Sequence, residues 1–190
     1  MKKIFIILFL SFFLATSVFA VVGYVDPNGD QTVTNAFLFS SGTTHYVLID
    51  DGTRQPTTPN TADYIQETSA GTGNVAFSMT TLTGVSSVSS IKVWIYGLKN
   101  NVGDTFTGNI SKDGSNWATA QDFGLTTSGS WKGVTFSGLS WTQADLDALQ
   151  VRLIANVNVG GPTYCYAMYA EITYTASTTN LTFNKIYFIE

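Results

Sequence analysis

Apolar and polar residues alternate along most of this chain, and the longest alternating stretch runs from Val151 to Thr175. Val151, Leu153, Ala155, Val157 and Val159 share one parity. Tyr164, Tyr166, Met168, Ala170, Ile172 and Tyr174 share another. A period of two places each set on one face of a β-sheet. Gly160, Gly161 and Pro162 lie between them and supply the freedom and the stop of a hairpin loop. Val88 to Leu98 alternates as well: Ile91, Val93 and Ile95 face one way, and Lys92, Trp94 and Tyr96 the other. This stretch is expected to be a central strand.

Further strands are expected at 21–25, 31–39, 44–50, 64–67, 74–82, 104–111, 116–123 and 131–136. The Asp113-Gly114 pair between two of these runs is a strong hairpin signal. Residues 51–63 read as a long loop, because Gly52, Pro56 and Pro59 forbid regular structure. Thr142 reads as a helix N-cap with Asp145 in the first turn, which predicts a short helical turn near 142–149. About nine or ten short strands with closely spaced turns predict an all-β, two-sheet antiparallel sandwich of jelly-roll type.

The first twenty residues change the domain picture. Lys2 and Lys3 precede an apolar run from Ile4 to Leu14, and Val18-Phe19-Ala20 supplies a small-x-small site. These are the three parts of a secretory signal peptide, so residues 1–20 are expected to be a leader and the protein secreted or held at the cell surface. The sandwich is expected over 21–175. Residues 176–190 then add a polar linker and an extra apolar strand containing Leu181, Phe183, Ile186 and Phe188.

The whole chain has a net charge of −4, and without Lys2 and Lys3 the figure is −6. An acidic chain with no basic run excludes nucleic acid and, after leader cleavage, the anionic membrane surface as partners. Cys165 is the only cysteine, so no intrachain disulfide can form, and its place in an alternating strand predicts a small buried hydrophobe.

Candidate chemistry is sparse. His45 is the only histidine, with Asp50 and Asp51 nearby but no nucleophile at a recognisable spacing, and it is expected to be a strand histidine. Asp26, Asn28 and Asp30 place oxygens at alternate positions, as a structural calcium site would, but no distant Glu completes an EF-hand loop. Asp50, Asp51, Asp63, Glu67 and Glu171 could serve glycoside chemistry, yet nothing in the sequence pairs them, and no enzyme is expected. No other cofactor is indicated. Trp117, beside the Asp-Gly turn, and Trp141, before the helical turn, are the candidates for sugar stacking, while Trp94 is expected to pack. Asn109 and Asn180 begin N-x-[ST] glycosylation sequons.

The run Ser111-Lys112-Asp113-Gly114-Ser115-Asn116-Trp117 resembles the S-x-D-G-x-x-W hairpin of discoidin-like and other jelly-roll carbohydrate-binding domains. In such families the motif is mostly structural, with the Trp beneath the turn. The block from Thr44 to Ile65 and the block from Ser140 to Ala155 are similar to a set of uncharacterised secreted and phage- or virus-associated jelly-roll proteins. That likeness implies a fold and transfers no catalytic residue.

Two function classes follow. The first is a non-catalytic structural subunit of a surface layer, appendage or extracellular filament, self-associating when the Leu181–Ile189 strand, or residues 21–25, adds to a neighbour's sheet edge. The second is a carbohydrate-binding module that holds a polysaccharide on Trp117 or Trp141. A virion or virus-associated surface protein is a further reading.

Overall fold

The computed structural model describes residues 20–34, 37–158 and 161–177. Residues 1–19 of the expected leader, the Leu181–Ile189 strand and Asn180 lie outside these residues. The described strands are β1 (Ala20–Val25), β2 (Pro27–Thr34), β3 (Phe37–Phe39), β4 (Ile65–Glu67), β5 (Gly71–Met79), β6 (Val85–Lys99), β7 (Thr105–Ser111), β8 (Gln121–Asp122), β9 (Ser130–Trp141), β10 (Gln150–Val157) and β11 (Thr163–Ala176). They form an antiparallel sandwich. A six-stranded sheet has the order β3-β4-β11-β6-β9, with β1 also on β11, and a five-stranded sheet has the order β2-β5-β10-β7-β8.

The alternating sets meet between the sheets. Ile91, Val93, Ile95, Met168, Ala170 and Ile172 face Val75, Phe77, Phe106, Val151 and Leu153 in one buried core. Cys165 belongs to it, and burial pushes its thiol above the ordinary range. The helical turn forms as expected: α1 (Gln143–Asp147) starts at Thr142 in a reciprocal capping box with Asp145, and Leu146 closes one end of the core.

Several expectations are corrected. The strands on either side of Gly160-Gly161-Pro162 do not pair with each other; β10 lies between β5 and β7 in one sheet, and β11 lies in the other. Parting into different sheets lets both strands bury an apolar face in the same core. The expected strand at 31–39 is split between sheets as β2 and β3, and β2 begins earlier, at Pro27. Residues 44–50 are not a strand but carry a 3-10 turn at Tyr46–Leu48. Its cause is distant in sequence: the Asp30 carboxylate accepts from the backbone N–H of His45 (2.8 Å) and of Tyr46 (2.9 Å). Residues 21–25, offered above as an assembly strand, pair in their own sheet with β11 from Ala20↔Thr175 to Val25↔Ala170.

One irregularity matters for the outer face. In β11 the register against β6 shifts between Cys165, opposite Gly97, and Ala167, opposite Tyr96. Tyr166 is the extra residue of a β-bulge. Before it, Cys165 points into the core. After it, Met168, Ala170 and Ile172 point inward, and Tyr169 lies opposite the outward Trp94. Tyr164, Tyr166 and Tyr169 therefore share the outer face, which a strict period of two forbids.

Candidate functional site

The outer face of the six-stranded sheet carries a continuous array of aromatic rings. On β11, Tyr164 and Tyr166 are stacked with centroids 5.7 Å apart, and Tyr64, just before β4, meets them edge-on at 5.1 and 6.0 Å. Tyr166 contacts Tyr96 of β6 at 6.1 Å, and Tyr96 contacts Trp131 of β9 at 5.6 Å. Trp131 meets Tyr169 at 5.4 Å, which in turn meets Trp94 at 6.3 Å and Tyr24 of β1 at 5.9 Å. Tyr24 is 49% exposed, and Tyr64, Trp94, Tyr96, Trp131, Tyr164 and Tyr166 are half-buried. Burial raises the phenols of Tyr164 and Tyr166 above their ordinary range, and neighbouring tyrosines add to the effect.

Local sequence makes this surface possible. Gly133 lies opposite Trp94, and a Cβ there would sit 2.7 Å from the indole Cε3. The missing side chain lets Trp94 lie down on β9. Its Nε1 donates to Glu171 Oε2 (3.3 Å), and Lys92 Nζ stands 3.8 Å from the ring centroid.

Residues 51–63 form a strap across the array. Arg54 stacks 4.6 Å from the Tyr169 centroid and 5.7 Å from that of Tyr24, and its Nη2 bonds Asp26 Oδ2 at 2.6 Å. The Gln55 backbone hydrogen-bonds the Tyr169 hydroxyl, and Trp131 Nε1 donates to the Thr57 carbonyl (2.8 Å). These groups combine apolar ring surface with a polar rim, a pairing suited to a ligand that has both C–H faces and hydroxyls.

Of the residues singled out from the sequence, Glu171 bonds Trp94 and Asp26 bonds Arg54, while most others lie elsewhere. Trp117 is half-buried and has the Arg152 guanidinium 4.2 Å from its ring centroid. Trp141 is half-buried and packs against the core. Neither joins the array. Asp26, Asn28 and Asp30 do not converge: Asp26 bonds Arg54, Asn28 Oδ1 accepts from Ser78 Oγ (2.7 Å), and Asp30 holds the 3-10 turn. Among the described residues no group of three or more His, Cys, Asp or Glu is placed to hold a metal ion. His45 is buried; its Nε2 donates to the Phe37 carbonyl (2.8 Å), and its Nδ1 lies 3.0 Å from Asp30 Oδ2. It ties β2, β3 and the 3-10 turn together. Glu67 is buried inside the sandwich, with Oε1 accepting from Ser69 N–H. Asn109 is 3% exposed and its Oδ1 accepts from Arg152 Nε (3.1 Å), so the folded strand offers no access for a glycan there.

The Ser111–Trp117 motif is a locked turn. Ser111 Oγ accepts from the N–H groups of Asp113 (3.2 Å) and Gly114 (3.0 Å), and Asp113 Oδ1 from those of Ser115 (2.8 Å) and Asn116 (2.7 Å). Bonds from Asn116, and then from Ser115, hold the Asp113 carboxyl well below its ordinary value. A depressed folded-state value means the turn's contribution is present above about pH 3.8 and is lost as the pH falls below it. Asp113→Asn should therefore lower the melting temperature near neutrality. The gap to the parent should narrow in melts run down to about pH 2.

Array membership was partly legible. Trp94 and Tyr96 share one parity, and so do Tyr164 and Tyr166. Trp131 and Tyr169 could not be placed, since they depend on strand order and on the bulge.

No family model matches the chain, and no curated protein matches it. Among solved structures, the chain is similar to a family 35 carbohydrate-binding module from Cellvibrio japonicus Abf62, with 10% identity, a TM-score of 0.44, and coverage of 83% of this chain and 99% of the module. A family 35 module from Clostridium thermocellum aligns with 14% identity and a TM-score of 0.37 over 80% of this chain and 90% of that one. A family 61 module in complex with β-1,4-galactotriose aligns with 12% identity and a TM-score of 0.36 over 57% and 70%.

Proposed function

We propose that this protein is a non-catalytic carbohydrate-binding module that holds a glycan on the aromatic outer face of its six-stranded sheet. The observation that supports the reading is the array itself. Aromatic side chains are the costliest groups to leave outside a core, and contiguous apolar surface on a soluble domain marks a binding site. Here Tyr and Trp line the solvent side of the sheet, while Ile, Val, Met and Ala fill the inner side.

The charge balance favours a neutral glycan. The chain is net acidic, Arg54 is already paired with Asp26, and Lys92 lies over Trp94. The expected leader agrees with an extracellular target. Among the described residues no helix is long and apolar enough to cross a membrane. The assembly reading has its strand, Leu181 to Ile189, outside the described residues and draws no support from those within them.

The test is native affinity electrophoresis of the full mature chain through soluble galactan, xylan, galactomannan, mixed-linkage glucan and pectin. Retardation by at least one polymer is expected. Tyr166→Ala should weaken it at least tenfold, about 1.4 kcal/mol. Trp117→Ala should leave it unchanged, and a loss on Trp117→Ala alone would move the site to that turn.

A further inference from the structure

We infer that the 51–63 strap is a specificity element: it restricts the aromatic face to single, solvated polysaccharide chains and excludes the flat face of a crystalline one. The inference rests on the carbohydrate reading above and adds the physical state of the ligand.

The course of the strap carries the first half of the argument. One edge of β11 pairs with β4 over Thr163–Cys165 and with β1 over Ala170–Thr175. In the gap between them, Met168 N–H donates to the Ile49 carbonyl (3.0 Å), and the chain then turns out over the face. Arg54 and Gln55 cover Tyr169 on β11, and Thr57 reaches Trp131 on β9, the far edge of the sheet. The chain returns to Tyr64, where Tyr64 N–H donates to Ser40 Oγ (3.1 Å). The strap thus reaches across the face from β11 to β9. Tyr169 faces outward yet is only 1% exposed, so it is roofed. Gln55, Pro56, Thr57 and Thr58 are exposed and form the outermost layer above the rings. A planar solid would meet this ridge before it met the array.

The ring planes carry the second half independently. A flat crystal face needs coplanar rings to stack on. Tyr164 and Tyr166 lie within 12° of parallel, and Trp94 lies within 23° of the roofed Tyr169, but along Tyr64, Tyr166, Tyr96 and Trp131 the successive interplanar angles are 73°, 63° and 73°. Rings set edge-to-face offer a corrugated floor. A free chain can fit its sugar units to such a floor one at a time and turn their hydroxyls to the strap beside it. A lattice-bound chain cannot rotate its units to do so.

The experiment compares pull-down on microcrystalline cellulose and on α-chitin with affinity electrophoresis in the five soluble polymers. It uses the full mature chain, Arg54→Ala, and a variant with residues 55–58 replaced by Gly-Gly, with circular dichroism checking the fold of each. The parent should be retarded by a soluble polymer and show at least tenfold weaker binding to either solid. Shortening the strap should raise binding to a solid at least fivefold, and Arg54→Ala should change it in the same direction. Parent binding to a solid within threefold of the soluble polymer would overturn the strap proposal and leave the carbohydrate reading intact. A folded strap variant with an unchanged solid-to-soluble ratio would do the same. Failure of the parent to bind any soluble or solid polymer would overturn both.

Discussion

Tyr169→Ala is expected to destabilise the fold by about 3–5 kcal/mol, the range for truncating a buried aromatic. Tyr169 lies on the outer face of the sheet, where truncation is ordinarily cheap. It is 1% exposed because Tyr24, Trp94, Trp131 and the Arg54 guanidinium surround it. Removing it would leave a void beneath the strap and unseat Gln55, whose backbone bonds the phenol. Urea unfolding followed by tryptophan emission measures the loss and also reports on Trp94 and Trp131 directly. Tyr169→Phe separates the two contributions: it keeps the ring packing and loses one hydrogen bond, about 1 kcal/mol. A cost below about 1 kcal/mol for the alanine variant would show that the array is not preformed, since surface truncations fall within roughly that range.

The second large effect is expected at Gly97. This residue of β6 is buried opposite Cys165, and a Cβ built on it would lie 2.5 Å from the Tyr164 backbone carbonyl and 3.3 Å from Leu125 Cδ1. A flexible side chain could move aside, but a strand backbone cannot without shifting its register. Gly97→Ala should cost at least 1–3 kcal/mol, roughly the range for overpacking a core, and Gly97→Val more. The close approach sits beside the bulge at Tyr166. Pushing β11 away from β6 there would also displace Tyr164 and Tyr166 from Tyr96. Loss of glycan retardation under conditions where Gly97→Ala is still folded would show that the bulge sets the ring geometry. Unchanged retardation would show that the rings tolerate a shifted strand.

These two positions mark where reading the chain in one dimension stops. The all-β sandwich was legible because Ile91, Val93 and Ile95, or Val151, Leu153 and Ala155, alternate with polar or outward residues, and period two has one physical interpretation. The helical turn was legible because Thr142 and Asp145 are three residues apart, the spacing at which a cap satisfies the first free N–H groups. The Asp113-Gly114 turn was legible for the same reason: its bonds, apart from the contacts of Lys112 with Asp145 and of Arg152 with Trp117, are made within seven residues.

The aromatic face was legible only in part. Trp117 and Trp141 drew attention by sitting next to turns, yet Arg152 and the core claim them. The rings that do gather come from Tyr24, Tyr64, Trp94, Tyr96, Trp131 and the β11 tyrosines, and only the strand order brings them side by side. Sequence alone determined that this chain folds into two antiparallel sheets around an apolar core, because alternation and capping are local and their partners lie a few residues away. Tertiary structure decided that β10 and β11 part into different sheets, that a single bulge at Tyr166 turns Tyr169 outward, and that the 51–63 loop lies across the rings. Each of these depends on which distant backbone a strand meets, and neither periodicity nor composition encodes that choice.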